Sequence, residues 1–190
     1  FTGLYLYLKM EKKKSILQTL RTLFLILTVS LSMTPLSAQD SRITNPKFAK
    51  LLQKMLSHSV PELSCVDFNN KQDEFIILDT REPDEYYVSH IKNARHLGYD
   101  HLSLSQLDSI SREKKIICYC SIGYRSEKVA EKIKKKGFYH VYNLYGGIFE
   151  MANRGFTIVD SQGQPTVNIH PYSSLWGIWM TNPKYNKVYH

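Results

Sequence analysis

Apolar residues along the chain alternate between two periodicities. Phe75-Ile-Ile-Leu78 and Lys115-Ile-Ile-Cys-Tyr-Cys120 are compact apolar runs of strand length, the pattern of strands covered on both faces. Leu63–Val66, Ala94–Leu97 and Val141–Leu144 are shorter strand candidates. Between these runs the spacing turns helical. Asn45 and Pro46 supply an N-cap and a proline at the first helical position. Phe48, Leu51, Leu52, Met55 and Leu56 follow on one face, and Pro61 stops any continuation. Asn69, Asn70 and Lys71 make a turn. Pro83–His90, Ser103–Ile110, Ser126–Lys136 and Gly147–Asn153 complete the helical set, and Gly137 caps the third of these. Strands alternating with helices imply an α/β fold, a central parallel sheet flanked by helices on both faces. From Asp160 onward Gly163, Pro165 and Pro171 break the pattern, so residues 160–190 read as an irregular tail. Trp176 and Trp179 are expected to pack that tail back on the domain.

Residues 1–38 follow neither period. Residues 1–9 read as sequence upstream of a start at Met10, and Glu11–Lys14 with Arg21 form a charged segment. Leu23–Leu27, continued by Val29, Leu31 and Met33, is apolar but too short to span a bilayer. Pro35-Leu-Ser-Ala38 then places small residues before Gln39, as in a signal peptide. The expectation is export to the periplasm with a cut before Gln39 and no stable membrane insertion afterwards. A retained membrane anchor is the competing reading, because Leu36 at the third position before the cut is not small. N-terminal sequencing of exported protein is expected to start near Gln39; an intact N-terminus in the cytoplasm contradicts the reading. The remainder divides into a helical segment at 39–59, a domain at 60–159 and the tail at 160–190.

Composition narrows the classes. The 190 residues are 43% hydrophobic and 22% charged, too apolar for disorder, and three cysteines are too few for a disulfide scaffold. The net charge of +8 suggests nucleic acid or membrane until it is divided along the chain. Residues 1–38 hold five basic residues against one acid, which leaves 20 basic and 16 acidic residues for the rest. Lys128, Lys132, Lys134, Lys135 and Lys136 make one helix basic, a solvated face that complements the helix C-terminus and draws in small anions. Neither effect calls for nucleic acid. The seven histidines include no pair with metal-ligand spacing near a cysteine cluster, so neither a metal nor another cofactor is expected.

The chemistry gathers at Cys120, at the carboxyl end of a buried strand, where ligands bind in open α/β sheets. Ser121, Ile122, Gly123, Tyr124 and Arg125 lead from it into a helix entered by Ser126. A chain turning from strand to helix points successive N–H groups into one cup, and the helix N-terminus adds partial positive charge. Gly123 permits the tight turn, and Arg125 adds a planar cation. Such surroundings favour the thiolate, the nucleophilic form of cysteine. An inert buried cysteine is the competing reading, and it suits Cys118, inside the strand, far better. Cys118 and Cys120 cannot close a relaxed disulfide, and Cys65, placed to meet Cys118 across the sheet, is expected to stay reduced and buried with it.

Four motifs in order resemble the rhodanese family of sulfurtransferases over roughly Val60 to Val159. A leucine-aspartate-any-arginine motif stands as Leu78-Asp79-Thr80-Arg81, followed by Glu82. An acidic-aromatic pair leading to a histidine-isoleucine stands as Glu85-Tyr86, Ser89-His90-Ile91 and then Ala94. The active loop is Cys120-Ser-Ile-Gly-Tyr-Arg125, and Gly146-Gly147 match the paired glycines after the final strand. Ser89 and Asn93 stand where glycine is common, and Met151 where tryptophan is frequent, but none of these changes removes the nucleophile.

The resemblance implies a rhodanese-like α/β fold and an enzyme moving sulfane sulfur from a small anionic donor such as thiosulfate. Cys120 would carry it as a persulfide to a thiol or cyanide. It further implies that Arg125 holds the sulfite end of the donor, that Arg81 with Asp79 supports the loop or orients substrate, and that His90 locks the fold. Cysteine-dependent phosphatases and arsenate reductases of similar design have five residues between cysteine and arginine, against four here. A phosphatase would also want a general acid for its alkoxide, and this loop has no Asp, Glu or His. The alternative of a different class is a non-enzymatic module that binds a partner or senses redox state. Nothing in the pattern sets an oligomeric state.

Overall fold

Five short parallel strands build the central sheet: β1 (Glu62–Leu63), β2 (Ile76–Asp79), β3 (Arg95–His96), β4 (Ile116–Tyr119) and β5 (Val141–Leu144), in the order β1-β5-β4-β2-β3. The computed structural model describes residues 10–14, 17–20 and 42–189. It divides into two compact units, Phe1–Gln39 and Asp40–His190. In the first unit residues 10–14 and 17–20 are helical, while Leu23–Met33 and the expected cut before Gln39 lie outside the described residues. Among the described residues no helix is long and apolar enough to cross a membrane. The sheet belongs entirely to the second unit.

β4 takes the middle position because all four of its residues are buried. It pairs with β2 from Ile76 opposite Ile116 to Asp79 opposite Tyr119, and with β5 from Val141 opposite Ile116 to Asn143 opposite Cys118. Alternation sends Ile77, Ile117, Tyr119 and Leu144 to one face, and Leu78, Ile116, Cys118 and Val141 to the other. Helices α1 (Pro46–Met55) and α2 (Cys65–Asn69) cover the first face. Helix α3 (Pro83–Val88) follows β2, α4 (Tyr124–Lys135) covers the second face through Val129, Ala130 and Ile133, and α5 (Gly147–Asn153) returns to the first. This is the α/β arrangement that the alternating pattern implies.

Local chemistry decides the element ends. Asn45 accepts from the Lys47 and Phe48 amides at 2.9 and 3.3 Å, which starts α1 where the N-cap and proline place it. Two expected elements differ. The strand expected at Leu63–Val66 is cut to Glu62–Leu63, because the Ser64 hydroxyl accepts from the Asp67 amide at 3.1 Å and turns Cys65 and Val66 into α2. The helix expected at Ser103–Ile110 is a single 3₁₀ turn, Leu104–Leu107. There the Ser103 and Ser105 hydroxyls bond each other at 2.9 Å, and only Leu107 is fully buried, too small an apolar face to hold a longer helix. Helix α4 starts at Tyr124, two residues before the expected entry at Ser126.

The expectation that Cys65 faces Cys118 across the sheet is also corrected. Cys65 lies in α2 against the first face, whereas Cys118 points to the second. Both are free and buried, and burial pushes both thiols well above their ordinary range.

The tail is more ordered than its glycines and prolines suggest. β6 (Ile158–Val159) pairs antiparallel with β7 (Pro165–Thr166), and β8 (Asn168–Ile169) pairs parallel with β9 (Asn186–Lys187). A single helical turn, α6 (Ser174–Gly177), lies between β8 and β9. Ile169, Met180 and Tyr185 join the first-face core, and Trp179 stacks on Phe48 of α1 with ring centroids 5.5 Å apart.

Candidate active site

The central strand delivers Cys120, and α5 shapes the loop that follows. The amides of Ile148 and Phe149 donate to the carbonyls of Cys120 and Ser121 at 3.0 and 3.1 Å. Gly147, at φ +57°, lets that approach happen, since a Cβ there would run into both carbonyl oxygens. With those carbonyls turned back toward α5, the Gly123 N–H faces the other way and donates to Cys120 Sγ at 3.2 Å. Gly123 itself sits at φ +112°.

Asn143 of β5 locks this turn from below. Its Nδ2 donates to the Gly123 carbonyl at 3.0 Å, which leaves its Oδ1 to accept from Ser126 Oγ at 2.7 Å. Ser126 Oγ also lies 3.6 Å from Cys120 Sγ. The single hydroxyl proton of Ser126 faces two acceptors, Asn143 Oδ1 and the more distant Cys120 Sγ, so it donates to one of them at a time. Sequence reasoning missed Asn143. The available signal was an asparagine inside the strand-like run Val141–Leu144; the structure buries it fully, which requires partners.

Arg125 is held rather than free. Its Nη1 and Nη2 donate to the two carboxylate oxygens of Glu85, both at 2.7 Å, and Nη2 reaches Ser121 Oγ at 3.0 Å. Ser121 Oγ in turn donates to Glu85 Oε1 at 2.9 Å. Burial pushes the Glu85 carboxyl up, but the hydrogen bonds and charge of Arg125, with the charge of Arg81, outweigh it and hold the group below the ordinary carboxylate range. Arg125, expected to hold the sulfite end of a donor, places its fork on a carboxylate from α3. Glu85 was legible only as part of a motif, because its contact with Arg125 spans 40 positions.

A carboxyl with a depressed folded value stabilises the protein above its unfolded value, and that contribution is lost as pH falls through the folded value. Glu85→Gln is therefore expected to be destabilising at pH 7, with the gap to wild type closing below about pH 4. Urea unfolding of both proteins across that range checks this; a constant gap contradicts it.

Asp79 and Arg81 form a second network beneath the loop, both fully buried. Arg81 Nε and Nη2 donate to Asp79 at 3.0 and 2.6 Å, and Nη2 also reaches the Ser89 carbonyl at 2.6 Å. Tyr119 of β4 donates its hydroxyl to Asp79 Oδ2 at 2.5 Å and accepts the Ile91 amide at 3.0 Å. The network ties β2, β4 and the segment after α3 together and lies apart from the cavity at Cys120. His90 stacks on Tyr86, with centroids 4.1 Å apart, and its backbone pairs with Val159. Asn93 takes the left-handed conformation, at φ +64°.

Cys120 is 1% exposed and opens into a cavity of about 280 Å³ lined also by Ser121, Ile122, Tyr124 and Arg125. Of the basic run on α4 and its C-cap, Lys128 pairs with Glu131 at 2.8 Å and Lys136 with Asp108 at 2.7 Å. Among the described residues no group of three or more His, Cys, Asp or Glu side chains is placed to hold a metal. The site presents one thiol, an amide donor on its sulfur, and a loop clamped by α3, β5 and α5. That arrangement suits covalent catalysis at sulfur.

A family model for the rhodanese-like domain matches residues 65–154. The thiosulfate sulfurtransferase GlpE of Coxiella burnetii is 34% identical over 97 residues, which span 51% of this chain and 85% of that protein. The tRNA uridine(34) hydroxylase of Salmonella newport is 35% identical over 99 residues, covering 48% of this chain and 28% of that protein. Among solved structures, a thiosulfate sulfurtransferase from Pseudomonas aeruginosa shares the fold at a TM-score of 0.51 and 22% identity, over 62% of this chain and 22% of that one.

Proposed function

The chain belongs to the rhodanese-like domain family, and we propose that it is a sulfurtransferase that carries sulfane sulfur on Cys120. The observation behind this reading is the Gly123 amide aimed at Cys120 Sγ at the end of the central strand. Similarity to a named thiosulfate sulfurtransferase supports the same chemistry.

Two displacements at sulfur make the cycle. Cys120 Sγ attacks the outer sulfur of a donor such as thiosulfate, the donor's sulfur–sulfur bond breaks, and sulfite departs with the bonding pair. An acceptor thiolate or cyanide then attacks the terminal sulfur of the persulfide, and the pair of that bond returns to Cys120. Sulfite and the cysteine thiolate are stable leaving anions, so neither step needs a general acid in the loop. The Gly123 N–H and the N-terminus of α4 are fixed before the reaction and favour negative charge on the sulfur. Ser121 and Arg125, clamped on Glu85, keep the loop in shape, while Asn143 and Ser126 hold its far side. Ile122 and Tyr124 form part of the wall that substrate meets. Asp79 and Arg81 support the strand ends from beneath.

Mixing the protein with thiosulfate and cyanide and measuring thiocyanate is the test. Catalytic thiocyanate formation is the expected result. Failure of wild type with thiosulfate and with organic persulfide donors would move the reading to a non-enzymatic binding module.

A further inference from the structure

The tail beyond the family match at 65–154 returns to the mouth of the Cys120 cavity and finishes its wall. Tyr172 and Trp176 line the same cavity as Cys120, together with Met55, Tyr99 and Tyr124. Neither tail residue is placed by chance packing of a loose end. Tyr172 adopts φ +65°, a conformation that non-glycine residues rarely hold, and its amide donates to His170 Nδ1 at 3.1 Å. Its ring covers the Arg125 guanidinium at 4.9 Å, so the tail touches the catalytic loop directly. Trp176 lies in the α6 turn and packs on the first-face core.

The cavity lining carries two carboxylates and one guanidinium. Glu82 and Asp100 line it; Glu82 accepts the Asp100 amide at 3.3 Å and caps α3, but among the described residues neither carboxylate has a cationic side chain against it. The lining cation, Arg125, is already matched by Glu85. A negative charge on the organic arm of an acceptor, away from the amide donor at Cys120, therefore meets two carboxylates and a neutralised arginine, while an apolar ring meets aromatic and aliphatic walls. A volume of about 280 Å³ suits one ring on a short arm.

We propose that this cavity selects an uncharged or cationic organic thiol carrying an aromatic or apolar group as sulfur acceptor, with Tyr172 and Trp176 as specificity-determining residues. The proposal rests on the sulfurtransferase reading and names the substrate class of its second step. In that step the thiolate sulfur of the acceptor attacks the terminal persulfide sulfur, a new sulfur–sulfur bond forms on the acceptor, and the Cys120–sulfur bond breaks with its electrons returning to Cys120. No oxidant or reductant is consumed.

The test loads the full-length protein with sulfur and measures discharge by 2-phenylethanethiol, cysteamine, 3-mercaptopropionate and cyanide. Each thiol rate is normalised to its reaction with a small-molecule persulfide. The expected kcat/KM for 2-phenylethanethiol exceeds that for 3-mercaptopropionate by about tenfold or more. Tyr172→Ala and Trp176→Ala should each lower the ratio of 2-phenylethanethiol to cyanide discharge by about fivefold or more. Tyr172 is 54% exposed, so its truncation leaves the core filled even where Trp176→Ala perturbs folding. Glu82→Gln combined with Asp100→Asn should raise 3-mercaptopropionate discharge relative to cysteamine. Equal normalised rates for all thiols on a protein that loads normally would overturn the proposal and leave the sulfurtransferase reading intact. A protein that accepts no sulfur from any donor would overturn that reading first.

Discussion

Cys120→Ser is expected to lower sulfur transfer by about a thousandfold or more while leaving the urea unfolding midpoint close to wild type. A serine hydroxyl at this position keeps the shape of the loop, including a group for the Gly123 amide to reach, 3.2 Å from the sulfur it replaces. It cannot act at neutral pH as the sulfur does, because an alkoxide is inaccessible without a base and an oxygen-bound sulfur chain is not a competent carrier. Cys118 and Cys65 serve as controls of contrasting place. Cys118 points into the core under α4, and Cys65 donates weakly to the Tyr145 and Gly147 carbonyls at 3.6 and 3.7 Å. Serine at 118 buries a hydroxyl among apolar groups and is expected to cost about 1–3 kcal/mol of stability, with turnover retained. Thiocyanate assays and urea unfolding on the three variants make the comparison. Turnover that survives Cys120→Ser or vanishes with Cys118→Ser would contradict the assignment.

Asp79→Ala carries the largest expected loss of stability, about 3–5 kcal/mol. Arg81 is fully buried, and Asp79 is the anion that matches it, through Nε and Nη2. Removing that carboxylate strands a guanidinium in the interior, and the Tyr119 hydroxyl loses its acceptor as well. The stability of a whole domain is about 5–15 kcal/mol, so the variant should sit near the edge of folding. Replacing both members of the pair with apolar residues should recover part of the loss, because no lone charge then remains inside. Urea midpoints of Asp79→Ala and of Asp79→Leu with Arg81→Met test this. An Asp79→Ala midpoint equal to wild type would show that the network is dispensable.

These two expectations differ in how far the sequence already carried them. The strands β2 and β4 were readable because Ile76, Ile77, Ile116 and Ile117 form short, β-branched apolar runs of strand length. Cys120 was readable because it ends such a run and is followed by glycine, arginine and a helical stretch. Ser64 misled the reading of Leu63–Val66, since a single hydroxyl bond to the Asp67 amide converts a strand-like segment into a capped helix. The partners of the loop were hidden for a different reason. Glu85 lies in α3 and Asn143 in β5, brought to Arg125 and Gly123 by the topology of the sheet rather than by local spacing. The tail was the least legible part. Its glycines and prolines mark turns, but the arrival of Tyr172 over Arg125 depends on two short strand pairs and on Trp179 stacking against α1.

Sulfur carried on Cys120 is read from the intact mass of the protein after thiosulfate treatment and removal of the donor, followed by peptide mapping. The expected result is a gain of one sulfur atom, located on Cys120 and removed by cyanide. An unchanged mass, or a sulfur atom found on Cys65 or Cys118 instead, would contradict it.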